Sequence, residues 1–208
     1  MADVEHAHLS GELASRLEFE TLIADTSAAL IAGPLAGLDG AVELALERVR
    51  TFFQADRCAL MSVSADQQTI NVRFASYAEG VAPVSKDINL APAFPWARRT
   101  TVVERALVRV SRMADLPPEA EADRRAWDAM QARSVLLLPV ETSGVVGHLI
   151  VLQTVYSECS WPAVFVTRLR LLGEMLVGAL QRQAMLDELR AAEERVSLAA
   201  DSAEAGLW

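Results

Sequence analysis

The chain has 208 residues, which is enough for one globular domain with long helical extensions. Its hydrophobic fraction of 52% argues against disorder over most of the length. The net charge of -9 argues against nucleic acid as a partner, because phosphate binding needs clustered cations and the arginines here are scattered. Two cysteines, Cys58 and Cys159, are too few for a disulfide framework and favour a reducing compartment.

The N-terminal segment is polar and acidic and lacks the charged-then-apolar pattern of a signal peptide. The longest apolar runs, Ser134–Val140 and His148–Leu152, have the length of strands and are far short of a membrane span. We therefore expect a cytoplasmic protein with no membrane contact by this segment, and a membrane anchor elsewhere in a longer parent chain is left open.

The first third of the sequence predicts two helices followed by a β-hairpin. We expect residues 1–16 to be a mobile lead-in, because helical spacing of apolar residues begins at Leu17. Gly33-Pro34 ends that helix, and Asp39 can cap a second one. Cys58–Ser64 and Ile70–Tyr77 are short and β-prone and predict an antiparallel hairpin, and the first is apolar enough to be covered on both faces.

The same patterns predict the helices and strands in the rest of the chain. In chain order we predict a short helix at Phe94-Pro95-Trp96, extended pieces at Thr101–Glu104 and Leu107–Ser111, a helix from Glu119, strands at Val135–Val140 and Val145–Val155 joined by a turn at Thr142-Ser143-Gly144, and one long helix from Pro162 to about Ala203. Consecutive hairpins favour an antiparallel sheet with the helices segregated around it.

The long last helix contains two heptad-like runs that are out of phase. They are Leu169, Leu172, Leu176 and Ala179, and then Leu189, Ala192, Val196, Ala199 and Ala203. We expect the first run to pack on the sheet or on the first helix, and the second to pair with its copy in a parallel homodimer. The change of phase falls near Leu180–Leu186. An ordinary surface helix gives the same spacing over one or two turns, so that alternative stays open.

Several short motifs, in this order and spacing, carry a family resemblance. They are Ala55–Arg57, Val110–Ala120, Ala132–Val140, Gly144–Gly147 and Trp161. Residues 17–183 thereby resemble a GAF domain of the kind that precedes a PAS domain in bacterial sensor histidine kinases. Glu194–Trp208 is similar to the opening of a PAS domain. We therefore expect residues 184–208 to form a signalling helix and the start of a truncated PAS domain, in an N-terminal fragment of a longer chain.

The resemblance implies an α+β sandwich. It has a central antiparallel sheet of five or six strands, the terminal helices on one face, and loops and short helices around a small-molecule pocket on the other. In the family's geometry the Ala82–Arg99 loop forms one wall of that pocket. The candidate ligand contacts are then Tyr77, Phe94, Trp96, Arg98, Arg99, Trp127 and Met130. Their aromatic surface and positive charge suit a planar or anionic ligand, whereas the alternative is that the rings are core plugs and the arginines are solvated.

The known chemistries of the family find little support in these residues. A bilin anchor is a cysteine usually followed by histidine, but Cys58 is followed by alanine and Cys159 by serine. The methionine sulfoxide reductases of the family use three cysteines, and the motif of its cyclic-nucleotide binders is not found. A lone histidine such as His148 is usually structural. We expect no catalytic residues, bilin, haem or metal, and the ligand is not identified.

Three functional hypotheses follow. The first is a sensory input domain of a signal-transduction protein, with a histidine kinase as the expected parent chain, which relays binding of a ligand or a partner through its last helix. The second is a ligand-free structural dimerisation module. The third, and weakest, is a small redox enzyme of the methionine sulfoxide reductase type.

Overall fold

In a computed structural model, residues 2–32, 37–142 and 144–205 are described. The helices are α1 (Ala2–Ala32), α2 (Leu38–Phe52), α3 (Pro95–Arg98), α4 (Glu121–Ala129) and α5 (Ala163–Ala205), and the strands are β1 (Arg57–Val63), β2 (Ile70–Tyr77), β3 (Val108–Val110), β4 (Ser134–Thr142) and β5 (Val145–Thr154). A π-helical turn, Arg99–Val103, continues α3, and single 3-10 turns occupy Met113–Asp115 and Pro118–Ala120.

The five described strands form one antiparallel sheet in the order β2-β1-β5-β4-β3. Both predicted hairpins are present, since β1 pairs with β2 and β4 pairs with β5. The predicted fold class, an α+β sandwich around an antiparallel sheet, is confirmed. The predicted turn between β4 and β5 includes Ser143, which lies outside the described residues, and Gly144 adopts a positive φ of 78°.

The sheet is covered on both faces, as the apolar character of its first strand predicted. Along β1, Cys58 and Leu60 pack toward α1, α2 and α5, whereas Ala59 and Val63 pack toward the opposite layer. Successive strand residues point to opposite faces of the sheet, so a strand that is apolar at every position needs a covering layer on each face. The long strands β4 and β5 show the same pattern.

The helix-side face is closely packed around aromatic rings. Phe19 of α1 lies 5.4 Å from Phe165 of α5 between ring centroids and 4.7 Å from Phe52 of α2. Helix α5 also approaches the sheet closely at Gly173. A Cβ added there would lie 2.6 Å from Cδ1 of Ile150, so only glycine allows this contact without displacing its neighbours.

Helices α1 and α5 run side by side in the same direction. Phe19 and Glu20 contact Phe165 and Arg168 near the start of α5. Further along, Ser27 and Leu30 of α1 and Met175 and Arg182 of α5 line a common groove of about 140 Å³. The part of α5 beyond this groove therefore continues past the level at which the described part of α1 ends.

Two predicted elements differ from the structure. Helix α1 begins at Ala2 and not at Leu17, because residues 2–16 are mostly good helix formers and a helix needs no buried face to extend by a few turns. Whether this lead-in is mobile stays a prediction. Thr101–Glu104 is not a strand, since Arg99–Val103 forms the π-helical turn. Thr101 is buried there and donates its hydroxyl to the carbonyl of Ala97 at 2.7 Å, so tertiary packing overrides the β propensity of this segment.

Smaller differences concern the ends of elements. Gly37 and not Asp39 is the N-cap residue of α2, and Asp39 lies in its first turn. The extended piece predicted at Leu107–Ser111 shortens to β3, which pairs with β4 only at Val108–Val110. Among the described residues, no helix combines the length and the apolar composition that crossing a lipid bilayer requires.

Candidate functional site

A cavity of about 40 Å³ lies between the sheet and the layer formed by α3, the π-helical turn and α4. Its walls come from four strands of the sheet and from that layer. The lining side chains are Met61, Ile70, Leu90, Phe94, Ala97, Arg98, Thr101, Trp127, Met130, Leu137, Leu149, Val151 and Gln153. Ten of these thirteen are apolar, which makes the cavity a mainly hydrophobic space with a few polar groups.

The aromatic wall of the cavity is built around Trp127 of α4, which is only 1% exposed. The ring of Phe94 lies 5.2 Å from it between centroids in a tilted arrangement. Trp96 contacts the other side of Trp127 edge-on at 6.5 Å. Tilted and edge-on pairs are the favoured geometries for aromatic rings, so the three side chains fix one another in place.

Asp123 joins the two helical walls. This side chain on α4 is fully buried and accepts hydrogen bonds from the backbone N–H groups of Ala97, at 2.8 Å, and Trp96, at 3.1 Å. Burial raises the pKa of the Asp123 carboxyl, and the two donated hydrogen bonds act in the opposite direction. A carboxylate at the start of α3 satisfies N–H groups that have no partner within the helix. The wall at Phe94–Arg98 is therefore held to α4.

The polar end of the cavity is formed by Gln153, and Arg57 lies behind it, hydrogen-bonded to its side chain. Sequence reasoning missed both residues. Arg57 is buried and donates from Nη1 to the carbonyl of Met130 at 2.9 Å and to Oε1 of Gln153 at 3.3 Å. Burial lowers the pKa of the Arg57 guanidinium from its ordinary value. The sequence did carry a signal for Gln153, because alternation along β5 places it on the face of Leu149 and Val151.

The predicted pocket residues divide into two sets. Phe94, Arg98, Trp127 and Met130 line the cavity together, whereas Tyr77, Trp96 and Arg99 do not. The hydroxyl of Tyr77 instead accepts a hydrogen bond from the backbone N–H of Val84 at 3.1 Å, and the exposed Arg99 pairs with Glu104 at 3.2 Å. Contact of the first set with a ligand stays a prediction.

Neither cysteine lies in the cavity. Cys58 is fully buried on the opposite, helix-side face of β1, and burial strongly raises the pKa of its thiol. Cys159 is half-buried in the segment before α5, and burial raises the pKa of its thiol as well. A nucleophilic thiol needs a lowered pKa and access to its substrate, so Cys58 in particular is placed as a core residue.

Helix α5 carries two apolar faces along its length. Leu169, Leu172, Leu176 and Ala179 are buried against the sheet and α1, as predicted for the first heptad-like run. A second set is exposed, and it comprises Val164, Leu171, Met185, Leu189 and Val196. At 100° per residue this exposed stripe lies roughly opposite the buried face. The two runs therefore lie on two faces of one unbroken helix. Near Leu180–Leu186, where the sequence predicts a change of phase, the apolar residues pass from one face to the other while the helix continues.

The stripe includes the residues predicted for the dimer. Leu189 is 55% exposed and Val196 is 70% exposed, while Ala192 between them is half-buried. Ala199 and Ala203 continue the same spacing on the described backbone of α5, and their side chains lie outside the described part. Pairing of this stripe with a second copy stays a prediction.

Comparison of the sequence with family models gives no match, and a search of curated proteins gives none either. Solved structures do match in fold. The phycoerythrobilin-bound GAF domain of a cyanobacterial phytochrome is 15% identical, with a TM-score of 0.67 over 83% of this chain and 99% of that domain. The GAF domain of a protein assigned as a sensor histidine kinase from Pseudomonas syringae pv. tomato is 18% identical, with a TM-score of 0.59 over 87% and 99%. The GAF domain from Acinetobacter phosphoenolpyruvate-protein phosphotransferase is 13% identical, with a TM-score of 0.58 over 79% and 93%.

The bilin named for the first of these structures does not fit the residues of this cavity. A volume of about 40 Å³ is far below the roughly 300 Å³ or more of ordinary ligand pockets. No cysteine lines the cavity to anchor a chromophore, and His148 lies on the helix-side face because it alternates with Leu149 and pairs with Val140. Similarity at this identity concerns the fold. The chain adopts the fold of GAF domains, with a cavity that its own side chains nearly fill.

Proposed function

We propose that this chain is a sensory input domain of a signal-transduction protein, and that it relays small-molecule binding in its cavity through α5. The observation that carries the proposal is the dual role of β5. Leu149, Val151 and Gln153 line the cavity, while Ile150 on the other face of the same strand packs against Gly173 of α5. A displacement of β5 by a ligand therefore reaches α5 through one strand.

The contact at Gly173 leaves little room for this strand to move independently. Closely packed interiors transmit strain instead of absorbing it. Ligand binding then has only to favour one of two packings of α5 on the sheet, since a ligand shifts an equilibrium by its differential affinity for the two states. A histidine kinase is the parent chain that we propose, in line with the family resemblance of the sequence.

The output of the relay is the exposed stripe of α5. Large apolar side chains at heptad spacing are costly to leave in water, and a second copy in parallel buries each against its equivalent. Arg168 also falls on this heptad spacing, but it pairs with Glu20 of α1. The chain is thus proposed to be a homodimer through its terminal helices.

One observation favours the alternative of a ligand-free structural module. The cavity is small because Trp127 and Phe94 fill most of the space between the helical layer and the sheet. That alternative shares the homodimer but lacks a response of α5 to any occupant of the cavity. The redox-enzyme alternative has less support, because the thiol of Cys58 is buried in the core and cannot reach a substrate.

The homodimer is tested with two single variants of α5. One places a negative charge on the exposed apolar stripe, and the other places it away from the stripe. We expect Leu189→Glu to convert a dimer into a monomer, with a rise of at least tenfold in the dissociation constant, because it buries a carboxylate in the seam. Ala191→Glu is the matched control, since Ala191 is exposed and lies well away from the stripe. Sedimentation equilibrium of the 208-residue chain measures both. A monomer at all concentrations, or equal effects of the two variants, contradicts the dimer.

The relay is tested by cysteine cross-linking. In a Cys159→Ser background, Leu189→Cys is expected to form an intermolecular disulfide faster than Ala191→Cys. Occupying or filling the cavity is expected to change the ratio of the two rates, because α5 changes its packing. A ratio that no cavity occupant and no cavity-filling substitution alters favours the structural module.

A further inference from the structure

The side-chain amide of Gln153 has an unused donor in an apolar cavity. Gln153 is 5% exposed, and its Oε1 accepts the hydrogen bond from Arg57. Because a guanidinium can only donate, this bond fixes the orientation of the amide and turns Nε2 away from Arg57. No hydrogen bond among the described residues uses Nε2. An N–H pair that no described acceptor satisfies can donate to a molecule bound in the cavity that Gln153 lines.

Arg57 places a positive charge behind this amide, and the carboxylate of Asp56 offsets only part of it. Its described hydrogen-bond acceptors are two neutral oxygens, and its Nε has no partner. The neighbouring Asp56 directs its carboxylate to the backbone N–H groups of Val155 and Tyr156. A buried cation that lacks an ion pair favours an anion nearby. Arg98, which lines the cavity and bonds the carbonyl of Gln67 at 3.2 Å, adds to the positive potential.

The size of the cavity sets the size of the anion. A water needs on the order of 10–15 Å³ in this measure, so 40 Å³ accommodates about three water-sized groups. The remainder of the wall is apolar, which suits a short hydrocarbon tail. Met61 and Met130 are unbranched and adapt to slightly larger occupants. Acetate and propionate are the smallest carboxylates that carry a hydrocarbon tail, and with four and five heavy atoms they need the slight enlargement that the two methionines allow.

We propose that the cavity binds a short-chain monocarboxylate of the size of acetate or propionate. The carboxylate accepts a hydrogen bond from Nε2 of Gln153 and is stabilised by the charges of Arg57 and Arg98, and the hydrocarbon tail lies among Leu149, Val151 and Met61. This assignment rests on the proposed function in one respect, because it takes the cavity as the site that the sensory domain uses.

Titration of the 208-residue chain with sodium propionate tests the proposal. We expect saturable binding with a Kd of about 1 mM, as suits a ligand of so few atoms, and at least tenfold weaker binding of propionamide. Gln153→Glu keeps the shape of the side chain and can pair with Arg57, but it repels a carboxylate, so propionate binding is expected to fall at least tenfold. Gln181→Glu on α5 is the matched control and is expected to bind as the unaltered chain does.

A second variant keeps the proposal testable if Gln153→Glu fails to fold. Val151→Leu fills part of the cavity without a charge and is expected to weaken propionate more than acetate. Absence of saturable binding of both carboxylates overturns the proposal, as does equal binding of propionamide or an unchanged affinity in both variants.

The carboxylate assignment and the proposed relay through α5 can fail independently of each other. If Val151→Leu changes α5 cross-linking while no carboxylate binds, the relay stands and the carboxylate assignment fails. If propionate binds through Gln153 and α5 cross-linking does not respond, the assignment stands and the relay fails.

Discussion

The two faces of the sheet are both buried, but they are filled in different ways. On the helix side, four phenylalanines and Trp161 contact one another around α1, α2 and α5, and Gly173 allows α5 to touch Ile150. On the other side, aromatic rings also pack together, yet a cavity of about 40 Å³ remains beside Gln153. The comparison teaches that the helix-side face is closely packed, whereas the other face retains unfilled space beside polar groups.

The largest expected effect tests the helix-side face. Leu46→Ala on α2 removes a side chain that is only 1% exposed and should destabilise the fold by about 2–5 kcal/mol, because it leaves a cavity in a closely packed layer. Leu44→Ala, two residues away on the exposed side of the same helix, should cost less than about 1 kcal/mol. Urea unfolding of both variants measures the difference, and equal losses would contradict the packing described for α2.

An intermediate effect compares the two faces directly. Val140→Leu adds one methylene at the helix-side contact with Gly173, where a new Cβ on the glycine would already lie 2.8 Å from Cγ2 of Val140, and should cost about 1–3 kcal/mol. Val151→Leu adds the same group at the cavity wall and should cost less than about 1 kcal/mol or stabilise, since space is present. Thermal unfolding ranks the pair, and a greater loss in Val151→Leu would reverse the comparison.

A third effect concerns the pH dependence of stability. His148 lies on the helix-side face with Nδ1 unpaired, and burial, together with Arg73, lowers its pKa from 6.5 to about 4. Between these values the unfolded chain binds a proton that the folded chain does not, so stability should fall as pH decreases from about 6.5 toward 4. His148→Asn should flatten this part of the profile in thermal midpoints measured at each pH. An unchanged slope would mean that other groups account for it.

Much of the fold could be predicted from local patterns. Short β-prone segments identified β1, β2, β4 and β5, and heptad-like spacing identified the face of α5 that packs on the sheet. The exceptions are instructive. The β-branched residues of Thr101–Val103 favour a strand locally, but Thr101 bonds the carbonyl of Ala97 in a π-helical turn. Residues 2–16 extend α1 because they contain no proline, and the single glycine, Gly11, does not end the helix.

The candidate site was only half predictable. Of the predicted ligand contacts, Phe94, Arg98, Trp127 and Met130 line the cavity, and their contact with a ligand stays a prediction. Gln153 and Arg57 were missed because a polar residue in a mainly apolar strand carries no pattern of its own, and their hydrogen bond joins positions 96 residues apart. Trp96 was predicted as a contact, but it packs behind Trp127 and does not reach the cavity.

By itself, the sequence determined the order of helices and strands, the burial of the sheet on both faces and the presence of two apolar runs on the last helix. These depend on the period of hydrophobic residues, which is a local property. Only the tertiary structure decided that Asp123 holds α3 to α4 and that Arg57 turns the donor of Gln153 away from itself. Each of these depends on contacts between distant segments, whose geometry no local period encodes.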